Sequence, residues 1–61
     1  MIWLTDALSK AKIAVNPEYV VAVFKLTDGE HEGKTNVILL NSNILIEEDD
    51  IDVVGQLNGR V

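Results

Sequence analysis

Two short apolar runs, residues 36–40 (NVILL) and 44–46 (ILI), are separated by Asn41-Ser42-Asn43. Short β-prone runs flanking three turn-forming residues predict an antiparallel hairpin over 35–48 with a three-residue loop. Asparagine is one of the few non-glycine residues that tolerates a positive φ, so Asn41 or Asn43 is the expected left-handed residue of that loop. Side chains alternate across a strand, so Val37 and Leu39 face one way and Ile38 and Leu40 the other. The strand is therefore apolar on both sides. One face can pack on the rest of the chain. The other needs a cover that a chain of 61 residues can scarcely provide. Ile38 and Leu40 are on that account candidate interaction residues.

The upstream pattern is also strand-like. In residues 1–5, Ile2 and Leu4 point one way and Met1, Trp3 and Thr5 the other. Residues 6–12 (DALSKAK) favour a helix by composition but are too few to hold one alone. A loop with one helical turn is expected, with Lys10 and Lys12 exposed. Residues 12–15 form a second strand that stops at Asn16-Pro17, because proline cannot donate to a ladder. Pro17 then opens one tight turn over 17–19. Residues 20–27 (VVAVFKLT) are the longest strand candidate. Val20, Ala22, Phe24 and Leu26 share one face and Val21 and Val23 the other, so both faces are expected to be buried or covered by a partner. The polar stretch 28–34 (DGEHEGK), bounded by Gly29 and Gly33, reads as an exposed loop.

A short helix is expected over 50–57. Asp49 followed by Asp52 resembles a capping box with aspartate in place of the usual glutamate, and acids suit a helix N-terminus. Val53, Val54 and Leu57 form the stripe expected to be buried. Gly55 weakens the helix and Asn58-Gly59 stops it. The fold class that follows is mostly β: one domain over 1–61, a small antiparallel sheet of four to five strands curled toward an open barrel, and a short C-terminal helix.

Size changes the picture. A chain of about 60 residues buries only about 60% of its unfolded surface. Domains this small usually carry a staple. There is no cysteine and a single histidine, so a disulfide or a zinc site is not expected, and no cofactor is implied. With 48% hydrophobic residues, homo-oligomerisation is the expected route to burial. Ten acids against five bases set the net charge at −5. The bases Lys10, Lys12, Lys25, Lys34 and Arg60 are scattered, which argues against nucleic acid as a partner. The charge suits a basic protein partner. No apolar run approaches the length of a membrane span. The start MIWLTD lacks a basic signal-peptide region, which together with the absent cysteine gives a cytoplasmic expectation.

The acidic run Glu47, Glu48, Asp49, Asp50 and Asp52 is the most conspicuous polar feature. Hard cations take several carboxylate oxygens, but a calcium loop alternates its ligands and places a glycine at the sixth position, and this run does neither. The plainest reading is a charged helix start on a solvated edge, with a docking patch for a basic partner and a hard-cation site as the alternatives. Glu30-His31-Glu32 sets an imidazole between two carboxylates, but in a loop with no nucleophile nearby it reads as solvated. Trp3 and Tyr19 are core residues on the plainest reading. In a self-associating chain, Trp3 becomes the first choice of interface anchor.

The order of motifs resembles the FlbD-type family of small flagellar proteins and their uncharacterised phage-encoded relatives. The opening MI-x-LT is met by Met1, Ile2, Leu4 and Thr5, and the short strand ending in V/L-N by Val15 and Asn16. A long strand, a hairpin and a run V-x-E-S-x-x-E-V-I follow. That last run is met in part by Ile46, Glu48, Asp49, Asp52, Val53 and Val54. The family commonly has a basic residue and a glycine turn where Asp6 and DALSKAK stand, and a shorter loop than DGEHEGK. The CsrA-type RNA-binding regulators open similarly, but with a basic RNA contact after LT. Asp6 reverses that charge, so RNA binding is not carried over. The resemblance implies a small, mostly β, non-enzymatic protein of bacterial or phage origin. The function expected is a self-associating, non-catalytic interaction module. The alternative is an acidic inhibitor or nucleic-acid mimic that occupies a basic groove of a host protein.

Overall fold

A computed structural model describes residues 1–59. Five strands and one helix follow in order: β1 (Ile2–Thr5), β2 (Lys12–Val15), a 3₁₀ turn (Pro17–Tyr19), β3 (Val20–Lys25), β4 (Thr35–Leu39), β5 (Asn43–Ile46) and α1 (Asp50–Gly59). The mostly β class with a short C-terminal helix is as the pattern predicts. The strands form two antiparallel sheets rather than one, β1-β2 and β3-β4-β5, and the whole stays open.

The two sheets meet where the end of β1 runs beside the end of β5. Asp6 and Ile46 form an isolated antiparallel bridge. Its two hydrogen bonds run from Glu47 N to Thr5 O at 2.9 Å and from Ala7 N to Leu45 O at 2.8 Å. The spatial path is therefore β2-β1-β5-β4-β3, with a narrow join in the middle. Ile2, Leu4, Val15, Val37, Ile46 and Val53 are buried together at the centre, and Ile13, Val20, Val23, Leu39, Ile44 and Leu57 pack around them. Every strand and the helix thus contribute to one core. β1 obeys its alternation, with Ile2 and Leu4 inward and Trp3 outward.

The link between β1 and β2 is built on Asp6. Its carboxylate accepts the N–H groups of Leu8 at 2.7 Å and Ser9 at 3.2 Å. Its carbonyl accepts Lys10 N at 2.9 Å, a single helical turn as expected. Lys10 ends that turn at φ 66°, the position a glycine usually takes after a helix. It is the one non-glycine residue with positive φ among those described. The expectation that Asn41 or Asn43 would be left-handed is thereby corrected. In the hairpin, Leu39 N donates to Ser42 O at 2.7 Å, and Asn43 already belongs to β5, opposite Ile38.

β3 departs most from the pattern. It spans six residues and ends at Lys25 rather than at residue 27, and none of it is buried. The register shifts between Val20 and Ala22, so Val20 opposes Leu39 while Ala22 opposes Ile38. Such a bulge inserts one residue and resets the alternation. Val20 and Val23 therefore face the core together, and Val21, Ala22 and Phe24 stand outside. Strict alternation would instead put Val20 on one face with Ala22 and Phe24. β3 is H-bonded only to β4, so it is an outer strand with one covered face.

The helix runs to Gly59, two residues beyond the expected end, and Gly55 lies inside it. Val53 is buried and Leu57 packs against the core, but Val54 is exposed, contrary to expectation. Residues 53 and 54 are about 100° apart around a helix, so a helix meeting the core along a narrow line covers only one of them. The capping box is not made among the described residues. Asp49 instead supplies its backbone carbonyl to Val53 N at 3.0 Å.

Thr35 is fully buried, and its hydroxyl has no hydrogen-bond partner among the described residues. A buried hydroxyl without a partner costs free energy that an isosteric methyl does not. Thr35→Val is expected to stabilise the fold by about 1 kcal/mol. Urea unfolding would read this as a higher midpoint at unchanged slope. A lower midpoint would show that the hydroxyl is bonded in solution.

Candidate interaction surface

The acidic run does not form one patch. Glu47 and Glu48 follow β5 at the join between the sheets, and both carboxylates are engaged within the chain. Glu47 Oε2 accepts from Lys10 Nζ, and its Oε1 accepts from Lys34 Nζ at 2.8 Å. The turn after β1, the strand entry at Lys34 and the end of β5 are so tied to one carboxylate. The hydrogen bond from Lys10, then that from Lys34, pull the Glu47 carboxyl from the ordinary 4.5 to about 2, against a smaller opposing effect of burial.

Glu48 grips the end of β1. Its Oε1 accepts Thr5 N–H and its Oε2 accepts the Thr5 hydroxyl, each at 2.9 Å. Lys12 Nζ reaches the same hydroxyl at 3.2 Å. Partial burial works to raise the Glu48 carboxyl, but the Thr5 backbone and side-chain bonds outweigh it and hold the carboxyl below its usual range. Asp49 and Asp50 lie near Lys25, with Nζ 3.8 and 4.0 Å from their Oδ1 atoms. Asp52 is exposed in the first turn of α1. Three of the five acids thus have some cation beside them and Glu48 has a threonine.

The sign of the pH effect follows. A depressed carboxyl contributes stability that is complete above its unfolded value and is lost as pH falls through the folded one. For Glu47 that window runs from 4.5 down to about 2. Glu47→Gln is expected to flatten the fall in stability across that window, read by denaturant midpoints at stepped pH. An unchanged acid limb would mean that Glu47 is not paired in solution.

No cavity opens among the described residues, and no group of acids and histidines stands close enough to hold a metal ion. His31 lies in the loop between β3 and β4, 3.9 Å from Glu30 and half exposed. Among the described residues, no helix is long and apolar enough to cross a membrane.

The distinctive surface is apolar. Trp3 and Tyr19 are exposed by 59% and 55%, which corrects the reading that places both in the core. Trp3 stands on the outer face of β1, opposite Ala14 of β2. Ile38 lies on the outer face of the other sheet, opposite Ala22 of β3 and Asn43 of β5. Leu40 is outside β4, exposed at the hairpin turn. Trp3 and Ile38 therefore do not share a sheet.

Two cross-strand rows make up the outer face of β3-β4-β5. One is Ala22, Ile38 and Asn43, and the other is Phe24, Asn36 and Leu45. Neither row contains a charge, in a chain that is 25% charged. The only polar side chains in the rows bond each other, Asn43 Nδ2 donating to Asn36 Oδ1 at 3.0 Å.

No family model, curated protein or solved structure matches this chain.

The face was legible in part. Alternation placed Ile38 outside correctly. Phe24 and Ala22 were placed with Val20 because the bulge leaves no mark in local composition. No local signal points to the roles of Thr5, Lys10 and Lys34: Thr5 and its partner Glu48 are 43 positions apart.

Proposed function

We propose that this chain is a non-catalytic interaction module that associates with further copies of itself. The reading rests on one observation. Large apolar side chains stand exposed on both sheets, on the helix and in two turns, among them Trp3, Val21, Ile51, Leu8 and Leu40. Isolated exposed apolar residues are ordinary, but two adjacent cross-strand rows without charge mark a surface that meets another protein. A 61-residue body has too little interior to cover both faces of its strands. Association supplies the missing layer. A cytoplasmic setting and a bacterial or phage origin belong to the same proposal. The origin rests on the likeness of the opening MI-x-LT and the order of motifs to the FlbD-type family.

Light scattering tests the reading. At micromolar concentration the mass is expected well above 6.7 kDa, the mass of one chain. A clean monomer would overturn it.

An acidic decoy for a basic host surface is the second reading. Asp49, Asp50 and Asp52 at the start of α1 favour it, together with the net charge of −5. Glu47 and Glu48 already have partners within the chain and add little. Capture of one stoichiometric, salt-sensitive partner from host lysate by a monomeric chain is its expected result.

A further inference from the structure

We propose that the outer face of β3-β4-β5 is a two-fold interface with a second copy of this chain, centred on Ile38 and registered by Asn36 and Asn43. The inference rests on the self-association reading and names its surface. Three observations select this face and this occupant. The first is charge. A copy carrying −5 is repelled by its twin wherever acids approach each other, so contact is cheapest where charge is absent. The two rows around Ile38 are uncharged, and the charges that adjoin them, Lys34 and Glu47, are paired with each other within the chain; the outer side of β1-β2 carries Lys12 within it and adjoins Glu48.

The second is hydrogen-bond complementarity. Asn43 Nδ2 bonds Asn36 Oδ1, which leaves Asn36 Nδ2 as a donor and Asn43 Oδ1 as an acceptor on the same face. A two-fold contact is isologous: what residue i meets on the partner, the partner's i meets in return. The free donor and the free acceptor of one copy therefore match those of another, and two amide bonds form across the axis. A polar pair within an apolar contact fixes its register, as a lone asparagine does in a coiled coil. The third is extent. A stable interface takes about 800 Å² from each partner. That is close to a fifth of this chain's 4050 Å² and demands a whole face rather than one side chain. Val21 at the bulge and Leu40 just past Leu39, both exposed, enlarge the face.

Sedimentation of full-length variants tests the interface, with circular dichroism as the check on folding. Ile38→Lys is expected to be a folded monomer at concentrations where the parent chain is associated, and Trp3→Lys is expected to associate like the parent. Asn43→Leu is expected to keep association but to lose the single dimeric mass, broadening into mixed species. Should Ile38→Lys fail to fold, chemical shifts of the parent chain on dilution carry the same question. The amides of Ala22, Asn36, Ile38 and Leu45 are expected to move, while those of Trp3 and Ala14 stay. A parent dimer undisturbed by Ile38→Lys, or one dissociated by Trp3→Lys, would overturn this interface and leave self-association standing. A parent monomer at every concentration would overturn both.

Discussion

Leu4→Ala is expected to remove about 3 kcal/mol of folding stability, the middle of the range for truncating a fully buried leucine. Leu4 has no exposed surface, and it packs with Ile2, Val15, Val37, Ile46 and Val53. These come from both sheets and from α1, so a cavity at Leu4 opens where every layer meets and no single element can close it. Total stability at ordinary values of 0.05–0.15 kcal/mol per residue is about 3–9 kcal/mol for a chain of this length. The variant is therefore expected to be largely unfolded, or to lose a third or more of its urea midpoint. Ile51→Ala is the matched control. Ile51 is 78% exposed, and its truncation is expected to stay within about 0.5 kcal/mol. Equal losses from the two variants would mean that Leu4 does not sit at the centre of the core.

Glu48→Ala is expected to cost about 2 kcal/mol, the loss of charge-assisted hydrogen bonds at a half-buried site. The glutamate joins the end of β5 to the end of β1 through both oxygens, and Thr5 O accepts Glu47 N from the other side. Removing it leaves the Thr5 N–H without its acceptor at the narrowest part of the fold, where the two sheets are joined by a single bridge. Glu48→Gln keeps one oxygen to accept and is expected to lose about half as much. A double-mutant cycle with Thr5→Val should return a coupling of about 1 kcal/mol, the size found for residues within one network. Zero coupling would show that the clamp opens in solution. The direction of the Glu48 carboxyl adds a second reading of the same bond. It is held low, so the clamp weakens as pH falls and should already be weakened in the acid-destabilised chain.

The elements were legible where local chemistry decides them. Asn16-Pro17 separates β2 from β3, and Asn16 Oδ1 takes Glu18 N–H at 3.0 Å while Pro17 opens the 3₁₀ turn. Ile2 and Leu4 were assigned inward by alternation alone, and they are buried. The hairpin, its strand faces and the start of α1 followed in the same way. What was not legible depends on partners distant in sequence. The bulge at Val20–Ala22 exists because β3 must match β4 while Val20 and Val23 both reach the core. The capping box at Asp49 and Asp52 is not made among the described residues, and Lys25, arriving from β3, stands 3.8 and 4.0 Å from the carboxylates of Asp49 and Asp50. Trp3 and Tyr19 are outside for want of volume: the core is already filled by aliphatic side chains from five strands and one helix.

The hydrophobic pattern by itself determined the mostly β class, the strand and helix sequence, and the uncovered side of the hairpin at Ile38. It could do so because alternation and turn chemistry act within a few residues. Only the tertiary structure decided which acids are available at the surface. Glu47 and Glu48 read as a charged edge until Lys10, Lys34 and Thr5 are brought to them across the join of the two sheets. A carboxylate is engaged or free according to what stands within about 3 Å of it, and that distance is set by the packing of strands that meet only when the chain is folded.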